Sequence, residues 1–531
     1  MSARRRDRLH DSDVTIGPVS ADAGAGLLRR FFLLPSAKVF GYATPAMQSG
    51  RVAIIDIGSN SIRLVVYERA NRSPLPVFNE KVLCGLAREL DVTGRLHAAG
   101  VELALANIER FAALARNMKV TRLDLLATAA VRDASDGADF VRRIGALTGI
   151  STRIISGEEE ARLSGLGVMC GIPAVDGVMG DLGGGSLELV GLSADRLGPS
   201  TTLPIGPLRL LTAGRDPRRA VEQAIADVGW LDQFRGRTFY PVGGAWRAFA
   251  RLHMEKTDYP LHIIHQYAIP AEAVRELAHI IAGQSLKSLE KMAGVSKRRL
   301  ESLPLAALAL ERVIGALKPR QIVFSAFGLR EGFYFSQLPE AEKARHPLIA
   351  FAEDEGAHWR RFTLSPVEIF DWLTPIFAGE STSERILRLA ACHLSDIGWD
   401  DHPDYRAVMA YERVLQLPAP GMDHHERATL ALTMAWRYDS NIKDKTVATA
   451  LTVTDLDEQR FARRLGTALR LAYNLSGGAP GLLSQIALRR SEKQLELVVP
   501  HALRNQLGDV TGRRMAAVAA AFDMRHEVVF S

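Results

Sequence analysis

The chain has 531 residues, 47% hydrophobic and 24% charged, with a formal net charge of +6. That length exceeds what one hydrophobic core organises, so three or four domains are expected, and the composition is that of a soluble globular protein. No apolar stretch is long enough to cross a membrane, while Cys84, Cys170 and Cys392, odd in number and far apart, argue against a disulfide framework and for a reducing cytoplasm.

Residues 1–49 differ from the rest. Arg4, Arg5, Arg6 and Arg8 lead into a Gly/Ala stretch and a short apolar run, Leu27 to Leu34, with no convincing small-residue cleavage site. A disordered basic extension, or a start codon placed too far upstream, is expected rather than a secretory signal. From Val52 the pattern alternates strands with amphipathic helices: a helix over Leu103 to Met118, a strand over Leu123 to Ala127, a helix over Phe140 to Leu147 and a strand over Thr152 to Ile155. The plan then repeats, with a helix near Ala220 to Phe234, a strand over Thr238 to Val242, a helical region from Ala271 and a strand over Gln321 to Ser325. Two lobes, 50–175 and 176–340, with a cleft between them follow from this duplication. Charged residues from Glu353 to Arg361 read as a linker to a helical domain, 341–490, and a small strand-bearing domain, 491–531, ends the chain.

The most specific local signal is a pair of glycine-rich segments 125 positions apart. Asp56-Ile57-Gly58-Ser59-Asn60-Ser61 follows the apolar run Val52 to Ile55, and Asp181-Leu182-Gly183-Gly184-Gly185-Ser186 follows Gly177 to Gly180. Strand-like residues resume at once after each, so each unit reads as a hairpin. Glycines there allow positive φ and close backbone approach, and successive N–H groups with a Ser hydroxyl make a concave surface for phosphate oxygens. An Asp ending each preceding strand suits a hydrated magnesium ion. The net charge of +6 favours a polyanionic partner such as polyphosphate, nucleotide or nucleic acid.

Three further segments carry chemistry. Ser156-Gly157-Glu158-Glu159-Glu160-Ala161-Arg162 opens a helix, where carboxylates suit the positive end of the dipole. One of the three glutamates could face the cleft as a general base, and spacing does not choose among them. Arg132, just past a strand end, suits a phosphoryl oxygen or, as a surface arginine, an ion pair with Asp133 or Asp136. The turns at Gly243-Gly244 and at Ser325 to Gly332 could line the cleft or serve packing alone.

Together DIGSNS, TAAVRDA, ISGEEEARL, DLGGGSLELV and FGLREG, in this order over 51–338, resemble the exopolyphosphatase and guanosine pentaphosphate phosphohydrolase family. The resemblance implies an α/β fold of duplicated ribonuclease H-like lobes, as in the actin, sugar kinase and Hsp70 superfamily, followed by an all-α region related to HD phosphohydrolases. It implies Glu160 as the catalytic base and Glu188 and Arg132 as its catalytic companions. Asp56, Asp181 and Glu188 would hold magnesium, with potassium assistance left open. Gly58, Ser59, Asn60, Ser61, Gly183, Gly184, Gly185, Ser186, Gly243, Gly244 and Arg330 would bind phosphate. The implied partners are inorganic polyphosphate, or guanosine pentaphosphate and tetraphosphate, and a second copy of the chain as a homodimer, with no membrane. In the helical region Ser395 stands where an HD site needs His, and His402, His424 and His425 read as surface residues, so no second metal site is expected. Two rivals remain: an ATP-dependent kinase with adenosine at Gly243-Gly244, which Trp246 and Arg247 would crowd, and a non-enzymatic regulator that binds polyphosphate or nucleotide alarmones.

Overall fold

A computed structural model of the chain describes residues 50–193, 196–212, 216–290, 301–439 and 441–531; the basic extension expected over 1–49 lies outside the described residues. The first sheet comprises β1 (Arg51–Ile57), β2 (Ser61–Tyr67), β3 (Pro76–Leu83), β4 (Val120–Ala127) and β5 (Thr152–Ile154), in the order β3-β2-β1-β4-β5. The β1–β2 and β2–β3 pairs are antiparallel, and β1–β4 and β4–β5 are parallel.

The second sheet holds β6 (Gly177–Leu182), β7 (Leu187–Ser193), β8 (Arg196–Leu203), β9 (Thr238–Val242), β10 (Tyr267–Pro270) and β11 (Gln321–Phe324), in the order β10-β11-β9-β6-β7-β8. Read from β8 through β11, it repeats the first sheet strand for strand, with β10 added antiparallel at the edge. This is the duplicated ribonuclease H-like plan the sequence implied. The repeat extends to register: Asp56 lies opposite Arg63 across the first hairpin, and Asp181 opposite Glu188 across the second.

Strand alternation decides which helices lie where. Ala53, Ile55 and Ile57 face a core shared with the helices Ala98–Asn117 and Gly137–Thr148. Ile54 faces the other way, with Val65, Leu163 and Phe333. The helix Gly157–Gly171 therefore packs Leu163 and Cys170 on the first sheet, while its Ala161 and Val168 join Met179, Val190 and Val323 of the second. It is wedged between the lobes. Close approach to the helix Leu329–Ser336 fixes it there: a Cβ on Gly332 would lie 1.7 Å from Leu163 O, and one on Gly167 2.1 Å from Gly328 O.

The stretch expected to be a linker is instead part of the helix Pro347–Trp359. Its apolar face, Leu348, Phe351 and Ala352, belongs to the helical core, and the charges that suggested a linker are its outer face, with Glu353 paired to Arg345 and Asp354 to Arg69. The helices Pro366–Leu373, Thr382–Leu394, Arg406–Gln416, His424–Tyr438 and Leu456–Ser476 follow. A three-stranded sheet, β12 (Ala487–Arg490), β13 (Gln494–Val499) and β14 (Arg525–Phe530), packs against them with the helix Asp509–Ala521. Among the described residues no helix is long and apolar enough to cross a membrane.

Candidate functional site

A cleft of about 780 Å³ lies between the two glycine loops. Asp56, Gly58 to Ser61, Glu160, Asp181, Gly183 to Ser186, Glu188, Gly243, Gly244 and Arg330 all line it. Arg132 does not line it directly but reaches Glu160, a wall residue, through its guanidinium.

Each loop is a closed hairpin turn. Gly58 N donates to Ser61 O at 3.0 Å, and Gly183 N to Ser186 O at 2.9 Å. The loop carbonyls are tied back: Ala87 N donates to Ser59 O, Cys84 N to Asn60 O, Leu208 N to Gly184 O and Gly206 N to Gly185 O. The two loops face one another closely, since a Cβ on Gly184 would sit 3.5 Å from Ser59 Cβ and 3.0 Å from Leu208 Cδ1.

The positive φ that glycine allows is not used at these positions. None of Gly58, Gly183, Gly184 or Gly185 has a left-handed backbone, and a Cβ on Gly58 or Gly183 would meet its neighbours only at ordinary contact distance. Neither conformation nor internal packing demands glycine at 58 and 183, so what their missing side chains keep open is the cleft itself. Gly243 is the opposite case. Its φ is 104° and a Cβ would lie 2.5 Å from Leu182 O, so the turn after β9 needs glycine for its own geometry.

Among the three glutamates the structure selects Glu160. Ser156 caps the helix by accepting from Glu159 N, and Glu159 pairs outward with Arg153. Glu160 turns inward, where Arg132 Nη1 donates to its Oε2 at 3.3 Å. The ion-pair reading of Arg132 holds, because its Nε also pairs with Asp133 at 3.2 Å. Burial pushes the Glu160 carboxyl up to about 7; the Arg132 charge opposes this, and Asp181 and Asp56 add to it. Burial, with Glu160 and Asp181 nearby, likewise holds Glu188 well above the usual carboxylate range, although Ser186 Oγ donates to its Oε1 at 2.5 Å. Asp181, raised by burial, accepts from Ser164 Oγ at 2.7 Å.

Asp56 is placed differently. Arg330 Nη1 donates to its Oδ2 at 2.9 Å, and both side chains are largely buried. Burial alone would lower the Arg330 guanidinium, yet Glu331 and Asp56 hold it raised. Among the described residues no group of three or more His, Cys, Asp or Glu is arranged to hold a metal ion. Asp181 and Glu188 each line the cleft and accept a side-chain hydrogen bond only from a serine hydroxyl, with no arginine paired to either among the described residues.

Arg63 escaped the residue-level reading, and Arg247 was expected only to crowd a nucleotide at Gly243-Gly244. Arg63, on β2 beside Asp56, donates to Asn79 and lines the cleft; burial and the Arg330 charge lower its guanidinium. Arg63 sits 125 positions before Glu188, so the repeat that drew attention to Glu188 also pointed to it. Arg247 lines the cleft too, donates to Ala326 O at 2.9 Å, and is lowered to about 10 by burial and Arg330. Trp246 does not crowd the cleft as expected. It is fully buried in the second lobe, and its Nε1 donates to Ala306 O at 2.8 Å.

In the helical region Asp396 is held by Arg361, and Ser395 Oγ meets Tyr473 Oη at 2.7 Å. His402 is exposed as expected. His424 is not a surface residue: it is 3% exposed, bonded to Tyr259 Oη at 2.9 Å, and burial pushes it down to about 3.

The family model described as Ppx/GppA phosphatase family matches residues 65–341, beginning just after the first glycine loop, and one described as exopolyphosphatase, C-terminal, matches residues 364–529. Exopolyphosphatase 1 of Mycobacterium tuberculosis is 28% identical over 306 residues, which cover 54% of this chain and 88% of that protein. Retrograde regulation protein 2 of Saccharomyces cerevisiae is 25% identical over 451 residues, covering 76% of this chain and 75% of that one. The crystal structure of an exopolyphosphatase from Cytophaga hutchinsonii superposes with a TM-score of 0.50 at 21% identity, over 54% of this chain and 97% of that one, a likeness of fold. With more than half its length matched by one family model, this chain belongs to the Ppx/GppA phosphatase family.

Proposed function

We propose that the chain hydrolyses the terminal phosphoanhydride of inorganic polyphosphate and releases orthophosphate. The observation that carries this reading is Glu160, a carboxylate pushed up to about 7 and paired with Arg132, in the wall of a cleft flanked by two glycine loops. A base poised near the working pH takes a proton from water most effectively. The named exopolyphosphatase relatives and the match of an exopolyphosphatase C-terminal model support polyphosphate as substrate.

In this reading the loop amides and the hydroxyl of Ser59 hold the terminal phosphate oxygens. Glu160 takes the proton from a water in line with the scissile bond. Arg132 exchanges Glu160 for a phosphoryl oxygen, bidentately, and so stabilises the charge that spreads over the transferring group. Losing that partner also raises the proton affinity of Glu160 when a proton must be accepted. Arg63, Arg247 and Arg330 continue the positive wall along which further phosphates lie.

The carboxylates of Asp181 and Glu188 fit magnesium, which commonly takes one or two protein oxygens and completes its shell with water and substrate phosphates. When bound, the ion would neutralise charge on the terminal phosphates. Asp56, committed to Arg330, orients that arginine.

Phosphate release from long-chain polyphosphate and from guanosine pentaphosphate, measured side by side with magnesium for wild type and Glu160→Ala, tests the reading. Polyphosphate is expected to be the better substrate, and the variant to lose roughly 10²-fold or more in rate while still binding. Preference for pentaphosphate would keep the mechanism and change the substrate. A fully active variant would overturn the site.

A further inference from the structure

We propose that Arg437, Arg470 and Arg514 form a phosphate-type oxyanion site in the helical C-terminal region, separate from the inter-lobe cleft. The three residues lie on the helices His424–Tyr438, Leu456–Ser476 and Asp509–Ala521, and none of them lines the cleft.

The packing brings them to one level. Gly466 lets the first two helices touch: a Cβ there would lie 2.5 Å from Thr433 O and 3.0 Å from Arg437 N. Arg470 stands about one turn further along. The second and third helices run antiparallel, with Arg464 Nε donating to Ala521 O at one end and Thr511 Oγ1 to Asn474 Oδ1 at the other. That alignment sets Arg470 opposite Arg514.

Arg437 is 6% exposed, and neither its Nε nor its Nη2 has a hydrogen-bond partner. Arg470 Nη1 is also buried without a partner. Among the described residues none of the three arginines is in a salt bridge. The Arg437 guanidinium instead lies 4.2 Å from the Tyr473 ring centre and 4.7 Å from that of Tyr438. Both tyrosine hydroxyls are anchored at Ser395, so the rings form fixed plates that hold the guanidinium in place.

A buried charge without a counterion is costly, and natural proteins pair such groups. Burial, together with Arg514 and Arg437, pushes the Arg470 guanidinium down to about 10, opposed by Asp439, the carboxylate facing the cluster. Arg514 is lowered by burial and by its neighbours Arg513 and Arg437. Three positive forks against one carboxylate leave a surplus that matches a dianion, and planar guanidiniums recognise phosphate oxygens two at a time.

The test uses the full chain in a Glu160→Gln background, so that polymer is not consumed, and compares it with the same protein carrying Arg470→Gln and Arg514→Gln. Each is titrated calorimetrically, at constant ionic strength, with orthophosphate, tripolyphosphate and acetate. Cleft binding is common to both proteins and cancels in the comparison. The double change is expected to weaken one class of orthophosphate or tripolyphosphate binding by roughly tenfold or more, with acetate indifferent. A response to orthophosphate identifies the free ion as ligand, and a response to tripolyphosphate alone identifies a terminal phosphate of a longer one. Identical titrations in the two proteins would overturn the site. Arg514→Glu guards against a folding artefact by giving the cluster its own carboxylate. It should raise Tm without phosphate and abolish the further rise that phosphate gives wild type; a lowered Tm with the phosphate response intact refutes the proposal.

Discussion

The two hairpins that wall the cleft share a backbone and differ in charge. Asp56 and Asp181 occupy the same register, but Asp56 has Arg63 across the strand and Arg330 on its carboxylate, whereas Asp181 has Glu188 across the strand and Glu160 nearby. One wall is thereby basic and the other acidic. A duplicated backbone thus carries opposite charge at equivalent positions of its two halves.

The most severe way to break this asymmetry is to remove the Glu160 carboxylate, the proposed base, from the acidic wall. Glu160→Gln should cost about 10²- to 10⁴-fold in kcat with little change in polyphosphate binding, read by single-turnover phosphate release against a binding titration. The two aspartates should then part company. Asp181→Asn is expected to raise the magnesium concentration for half-maximal rate by roughly tenfold, whereas Asp56→Asn should leave that concentration nearly unchanged and raise KM by releasing Arg330. Equal magnesium shifts in both would show that the walls do not divide the labour.

Glycines sharpen the comparison next. Gly183→Ala has room in the fold, so its stability in urea should stay within about 0.5 kcal/mol of wild type while activity falls roughly 10- to 100-fold. Gly332→Ala, whose Cβ would meet Leu163 O at 1.7 Å, should lose about 2 kcal/mol or more of stability. The smallest expected effect is on pH. Glu160 must be ionised to accept a proton, so kcat/KM should rise with pH and level off above about 7. Arg132 favours the ionised form; Arg132→Gln should therefore move that rise to higher pH by about one unit, besides lowering the plateau.

Much of this was legible in the residues. The hairpins, the duplication and the helices of the C-terminal region follow from alternation and periodicity, which are local properties of the chain. The linker reading over Glu353 to Arg361 failed because a charged run such as Glu353 to Glu355 looks like a loop until the apolar residues beside it, Phe351 and Ala352, find a partner. His424 was misplaced for the same reason: its burial comes from Tyr259, 165 positions away.

The sequence by itself determined that two matched glycine-rich hairpins exist and that a carboxylate-bearing helix precedes the second. Only the tertiary structure decided which glutamate turns inward, that Arg330 neutralises Asp56 from 274 positions away, and that Gly58 and Gly183 keep space open rather than adopt left-handed backbone. Turns and periods are encoded by near neighbours, whereas the charge a group feels is set by everything folded against it.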